Sequence, residues 1–360
     1  MAYYTDKVSL VRDSMGNIDL FRLTEGNIIR YHFDRKSMKN TEAPVAKDIH
    51  MEYDVYIDRN DIIYLIYQDK AMDLIFSIIR DEKMESVKLT EEPMPEIYYL
   101  NMLVIDGVPH VFYFTLLSGK ERKYRIYHHY LEKDKWITHM VDDIKVRELL
   151  NPMSILRTDG EILLSYYDYT DSEHIFIKNF NLESKTWEER TQLTDNRLDK
   201  LYIDMIYKEN KLHLVYCQYE EGNLQVRYER YRYEKGFVNK EIEEEISNYE
   251  GPENPTLIYY DNKLWITWVE LDRVLSRYSD DNGETWSPIY LWKESRKSNI
   301  VRYKYSSIAE DEGIILNYSF GKFSKDLSFI GFGPLDNIEV VPLKKKSLLR
   351  LPRDLPRIKI

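Results

Sequence analysis

Three features of this 360-residue chain predict an all-β fold. A pattern of about 49 residues recurs seven times, its apolar residues alternate with period two, and sustained helical periodicity is absent. The fold class that satisfies all three is a seven-bladed β-propeller of four-stranded antiparallel blades, with six blades as the alternative count.

The repeat is clearest in DNKLWITW (261–268), where a turn dipeptide leads into alternating residues that close on an aromatic. Its counterparts are MGNIDLFR (15–22), NDIIYLIY (60–67), DGVPHVFY (106–113), DGEILLSY (159–166), ENKLHLVY (209–216) and DEGIILNY (311–318). The closing position reads Arg22, Tyr67, Tyr113, Tyr166, Tyr216, Trp268 and Tyr318. Six aromatics in seven slots fit a residue that packs one blade on the next.

Each pattern reads as the second strand of its unit. An apolar first strand precedes it, as in NMLVID (101–106) and PTLIYY (255–260). A third strand follows, as in HIFIKNF (174–180) and LQVRYERY (224–231). A fourth, often opened by tryptophan, completes the unit, as in KWITHM (135–140) and TWEERTQL (186–193). A single domain over 1–346 and a basic C-terminal tail over 347–360 follow. Either the first seven residues or the segment after Pro342 is expected to close the ring.

Composition narrows the function classes. Hydrophobic residues at 43% supply a core, which excludes wholesale disorder. The lone Cys217 excludes an intrachain disulfide framework and a multi-cysteine zinc site. No run reaches the length of a membrane span, and the N-terminal text lacks a secretory pattern, so a cytoplasmic location is expected. A net charge of −11 argues against nucleic-acid binding by the body of the protein. Residues 344–360 alone carry +6. Such a tail either lies on the acidic body or docks to a partner.

One motif is specific. SDDNGETW (279–286) places Ser279, Asp281, Gly283, Thr285 and Trp286 in a tight-turn pattern. The Asp carboxylate caps backbone N–H groups, the Gly supplies positive φ, and the Trp pins the turn. Weaker versions stand in ESKTW (183–187) and EKDKW (132–136). On these residues the chain resembles the Asp-box (BNR-repeat) propellers, the superfamily that includes sialidases. The resemblance implies a structural turn between third and fourth strands, away from any active site. The early Arg-Ile-Pro segment of family sialidases is absent; the nearest text is FRLT (21–24). Sialidase activity is therefore not carried across.

Other chemistry is sparse. The chain has no phosphate-binding glycine loop, no HExxH and no GxSxG, and neither a metal nor a cofactor is expected. Neighbouring His128 and His129 point to opposite faces of a strand and cannot chelate together. His110 and His213 occupy one repeat position and read as packing, and Cys217 reads as a quiet core thiol.

Propeller geometry selects a face, because first-strand starts and second-to-third loops lie on one end of the ring. The starts supply Glu52, Asp54, Asn101, Asn151, Asp204 and Asn254, with Arg302 beside the seventh first strand as their expected partner. The loops supply Glu25, Asp69, Asp73, Asp168, Asp171, Glu173, Glu220, Glu221, Glu270 and Asp272, with Tyr167, Tyr169 and Tyr219 among them. Carboxylates accept sugar hydroxyls and rings stack on pyranose faces. The expected function is noncatalytic binding or scaffolding that recognises a glycan or a protein through this acidic, aromatic face. The alternative is a glycoside hydrolase or lyase using two of its carboxylates. A third option is a subunit that docks through its basic tail.

Overall fold

In the computed structural model, residues 6–80, 83–234, 236–297, 299–307, 313–323 and 327–344 are described. Among them the regular structure is strand, apart from one short 3-10 turn at Lys293–Lys297. No helix is long and apolar enough to cross a membrane. The basic tail, and with it the expected boundary at residue 346, lies outside the described residues.

The repeats fold as antiparallel meanders. Unit three shows the plan: Ile97–Ile105, Val108–Ser118, Lys123–Glu132 and Lys135–Lys145 pair in that order. Its first hairpin turns at Asp106-Gly107, both at positive φ, which fits the twist that antiparallel strands need. Units two and five have the same four strands; unit four splits its fourth into Thr186–Trp187 and Thr191–Gln192.

The units pack through their faces, so the core is a series of seams rather than one centre. Phe21, Tyr53 and Leu65 fill the seam between units one and two. Ile66, Leu100 and Tyr113 fill the next, and a larger cluster joins units three, four and five. Tyr67, Tyr113, Tyr166, Tyr216 and Trp268, the recurrent closing aromatics, are all buried.

Ring closure departs from expectation. Among the described residues the strands form six sheets rather than seven separate ones. Residues 301–330 contribute three strands, Val301–Ser307, Tyr318–Phe323 and Leu327–Ile330, and join unit one edge to edge. The join is parallel, Val8–Arg12 against Val301–Ser307. Val8, Leu10, Leu20, Val301 and Tyr303 seal it with apolar side chains. Among the described residues no strand from either terminus adds a fourth there; residues 1–5 and 345–360, part of the segments expected to close the ring, lie outside them. The C-terminal strand Ile338–Val341 instead adds to the outside of unit six, pairing Ile289–Trp292.

The seventh repeat is also displaced in register. Ile315–Leu316 pairs with the first strand of unit six. Tyr318 therefore opens a strand instead of closing one. Asn317 sits at the switch and donates to Asp204 Oδ1 (3.0 Å) and to the Met205 carbonyl (2.8 Å). These bonds hold the chain where the repeat would otherwise have continued.

The 279–286 turn joins Arg273–Ser279 to Ile289–Trp292, a third strand to a fourth. Asp281 Oδ1 accepts from Ser279 Oγ (2.7 Å) and from the Thr285 N–H (2.8 Å), and Oδ2 accepts from Thr285 Oγ1 (2.7 Å). Those bonds, first of all from Thr285, hold the Asp281 carboxyl down at about 2. Trp286 packs edge-on against Tyr228 of unit five, with ring centroids 5.0 Å apart. Gly283 has φ +90°, and a Cβ there would meet Tyr228 Oη at 2.1 Å. Gly283→Val should therefore destabilise the fold by roughly 1–3 kcal/mol, read as a lower melting temperature. A variant that melts like the wild type would remove the structural role of this turn.

Candidate functional site

The first-strand starts do converge on the ring axis, and a local backbone device places them. Tyr99, Asn151, Tyr202 and Asn254 occupy equivalent positions in units three to six, and each is left-handed, with φ between 44° and 58°. In units three, five and six the pairing of the first strand with the second skips residues at this point, a bulge. Left-handed residues without glycine are uncommon and are concentrated at functional positions. The bulges bring Asn151 and Asn254 together across the axis, their side-chain amides 2.9 Å apart.

The axial acids are spent on holding the ring. Asp204 is fully buried and accepts from the Leu257 N–H (2.9 Å), Thr256 Oγ1 (2.8 Å) and Asn317 Nδ2 (3.0 Å). Asp54 joins units two and three in the same way, its Oδ2 accepting from the Met102 N–H (2.6 Å) and from Lys304, while Oδ1 is buried without a partner. Lys304 also reaches Asn101 Oδ1 at 2.9 Å. Glu52 accepts from the Tyr99 and Leu100 N–H groups (3.0 and 3.1 Å) and pairs with Lys7 at 2.6 Å. Each carboxylate thus ties the first strand of one unit to the backbone of the next.

Burial, more than crowding by other carboxylates, pushes the Asp204 carboxyl up. Arg302 does not form an ion pair with Glu52 or Asp54; Lys7 and Lys304 take those places. Its guanidinium lies 3.7 Å from the Tyr318 ring centroid. With the Asn151 amide oxygen turned toward it, Nη1 and Nη2 donate at 2.9 and 3.1 Å. The axis is therefore a packed polar plug. Against it lies a cavity of about 220 Å³, lined by Asn101, Lys304 and Asn317 of the plug as well as by Arg12, Met153 and Leu316.

Beside the plug, on the same face, lies a larger cleft of about 700 Å³. Its walls come from the elements singled out by propeller geometry. The second-to-third loop of unit three brings Lys120, Glu121 and Arg122, the segment entering unit four brings Lys145, Arg147 and Glu148, and unit five brings Asp199 and Tyr219. Tyr167 braces the wall next to the axis: its hydroxyl accepts from the Leu150 N–H and lies 2.8 Å from the Glu148 carbonyl. Tyr99 adds a bond from its hydroxyl to the Leu149 carbonyl at 2.6 Å.

Glu173, which opens the third strand of unit four, is part of the cleft lining although only 1% exposed. Its Oε1 accepts from the Arg147 N–H at 2.6 Å, while Oε2 has no hydrogen-bond partner. Burial raises its carboxyl to about 7; the Arg147 N–H opposes the rise, and the nearby Asp199 charge adds to it. Asp199 is itself paired with Arg147 at 2.7 Å and accepts from the Glu173 N–H at 3.2 Å. Arg122 pairs with Glu148 at 2.7 Å. At the rim Tyr219 is 45% exposed, and nearby the half-buried Tyr169 ring lies under Lys145 and under the Arg147 guanidinium at 5.3 Å.

The other loop acids are dispersed. Asp168 pairs with Arg190, Asp171 with Arg197 and His174, and Asp73 with Lys88. Glu220 accepts from the Tyr249 hydroxyl and Glu270 from Trp268 Nε1. Two histidines of unit three are core: His110 and His128 stack in the seam with unit four, and burial pushes both well down, while His129 and His139 are half-buried. His213 is buried against the Tyr228 hydroxyl at 2.8 Å. Cys217 is buried and its thiol pushed up. Among the described residues no cluster of His, Cys, Asp and Glu is arranged to hold a metal ion.

Reading the face for acids alone misses half the cleft. Its cations stand in the text as KERK (120–123) and KVR (145–147), on two elements that propeller geometry already places at one end.

No protein-family model and no curated protein matches this sequence. Solved structures do match in fold. A polysaccharide lyase of family PL25, an ulvan lyase, aligns at 10% identity over 89% of this chain and 95% of its own, with a TM-score of 0.57. The same kind of lyase bound to -[GlcA(1-4)Rha3S]- aligns with a TM-score of 0.55 at the same identity and coverage. The polysaccharide lyase Uly1 aligns at 12% identity over 81% of this chain and 82% of its own, with a TM-score of 0.52. At such identities the likeness is one of fold: an all-β chain of four-stranded antiparallel sheets, arranged as in these propeller-like enzymes.

Proposed function

We propose that this protein is a carbohydrate-recognition propeller of seven Asp-box-type units, two of which share a sheet, and that a glycan segment lies in the cleft formed by units three, four and five. The observation that carries this reading is the composition of the cleft. Paired carboxylates and guanidinium groups supply dense hydrogen-bonding capacity, and Tyr219 supplies an exposed ring at its edge. Sugars need both, because their hydroxyls bond in the plane of the ring and their C–H faces stack on aromatics. The polysaccharide lyases of similar fold act on chains of the same broad chemistry. A glycan array with the purified protein tests the reading. Tyr219→Ala should weaken any ligand found by about tenfold, one stacking contact's worth, with the melting temperature unchanged. Unaltered binding would place the ligand elsewhere.

The enzyme alternative rests on the buried Glu173 carboxyl in the cleft wall, which burial pushes up to about 7, the range that suits an acid–base catalyst. A time course on the array ligands, read by reducing ends and by the ultraviolet absorbance of unsaturated products, separates turnover from binding.

A further inference from the structure

We infer that the cleft selects an acidic sugar over a neutral one and takes it up together with one proton, held on Glu173. This rests on the glycan reading of the cleft and adds the class of sugar. Its basis is a charge balance. Four cations line the cleft (Lys120, Arg122, Lys145, Arg147), and so do four acids (Glu121, Glu148, Glu173, Asp199). Two ion pairs, Arg122–Glu148 and Arg147–Asp199, cancel within the wall. Lys120 and Glu121 are neighbours on the rim. Lys145 and Glu173 remain, and Lys145 is exposed while Glu173 is buried. When Glu173 is neutral, the cleft holds one uncompensated cation, and a single carboxylate on the ligand restores the balance.

The geometry of Glu173 fits that role. Oε1 is committed to the Arg147 N–H, and Oε2 is left without a partner. An ionised Oε2 would repel an incoming carboxylate across a dry wall, whereas a protonated one carries no charge to oppose it. A ligand anion therefore favours the protonated form, and by linkage the protonated form favours the ligand. The other charged groups around Glu173 are accounted for. Asp199 and Glu148 disfavour its ionisation, and Arg147 favours it. Asp171, Arg197 and His174 form a separate cluster at the preceding turn, with His174 bonded to Asp171 and to the Thr194 carbonyl. Tyr167 is pushed far above the range concerned.

The test compares trigalacturonate with a neutral galactose trisaccharide by titration calorimetry, at about pH 6 and about pH 8. Trigalacturonate should bind more tightly at the lower pH by several-fold, approaching tenfold, the span available to a group that titrates near 7. The neutral trisaccharide should bind more weakly and without that dependence. Glu173→Gln, an isostere that is always neutral, should bind trigalacturonate equally at both pH values. Its folding is checked by its melting curve. Two results would overturn the inference while leaving glycan recognition intact. One is pH-independent binding of trigalacturonate by the wild type; the other is pH dependence that survives in Glu173→Gln and so belongs to another group. Failure of both trisaccharides to bind, with no hit on the glycan array, would remove the glycan reading itself.

Discussion

Asp204→Ala should cost about 3–5 kcal/mol of folding stability, the range for removing a buried, multiply bonded carboxyl. The substitution leaves the Leu257 N–H, Thr256 Oγ1 and Asn317 Nδ2 without their acceptor at a fully buried site. Three parts of the ring meet there: unit five, unit six and the displaced segment of the seventh repeat. Asp204→Asn should cost less, since its amide oxygen can still accept from Leu257 and Thr256 and only the Asn317 contact is lost. Denaturant titration of both variants checks the order. The opposite pattern, unchanged stability with lost ligand binding in Asp204→Ala, would return the axis to the role of a binding site.

Glu173→Gln should do the reverse and stabilise the protein at about pH 8, by up to about 3 kcal/mol for a carboxyl raised from 4.5 to about 7. The sign follows from the protons bound in each state. Between about pH 4.5 and 7 the native Glu173 holds a proton that the unfolded chain has released. Stability from this group therefore rises as the pH falls through 7 and levels off below about 4.5. Above 7 the native state carries a buried charge that the glutamine lacks. The gain of Glu173→Gln over wild type should accordingly shrink from pH 8 to pH 4.5, which melting curves at the two ends of that range would show. An equal gain at both would mean that packing rather than titration separates the variants. A functional group that destabilises its own fold is a common sign of a site kept for chemistry or recognition.

These two carboxyls show what can be read from text. Asp204 and Glu173 both stand out as acids at one end of a ring, because repeat period and strand order assign a position to every turn. Their opposite fates depend on neighbours that are far away in sequence. Asp204 meets Leu257 and Asn317, more than fifty and a hundred residues on. Glu173 meets the Arg147 N–H and the unit-five strand that starts at Asp199.

The local pattern alone determined the strands, their hairpins, the recurrent buried aromatics and the turn wired by Asp281, because each depends on residues within one meander. Alternation buries one strand face, and positive φ at Gly283 is a demand of its own turn. Ring closure, the register of the seventh repeat and the use of the axial acids were decided by the tertiary structure. Closing the ring sets the first and last units edge to edge through a parallel pairing of Val8–Arg12 with Val301–Ser307. That closure lets Lys304 reach Asp54 and Asn101, side chains some two hundred and more residues away in the chain. Which carboxylate serves as a strut and which lines a cleft depends on how much water and how many donors the assembled ring leaves around it, and no local spacing in the chain carries that quantity.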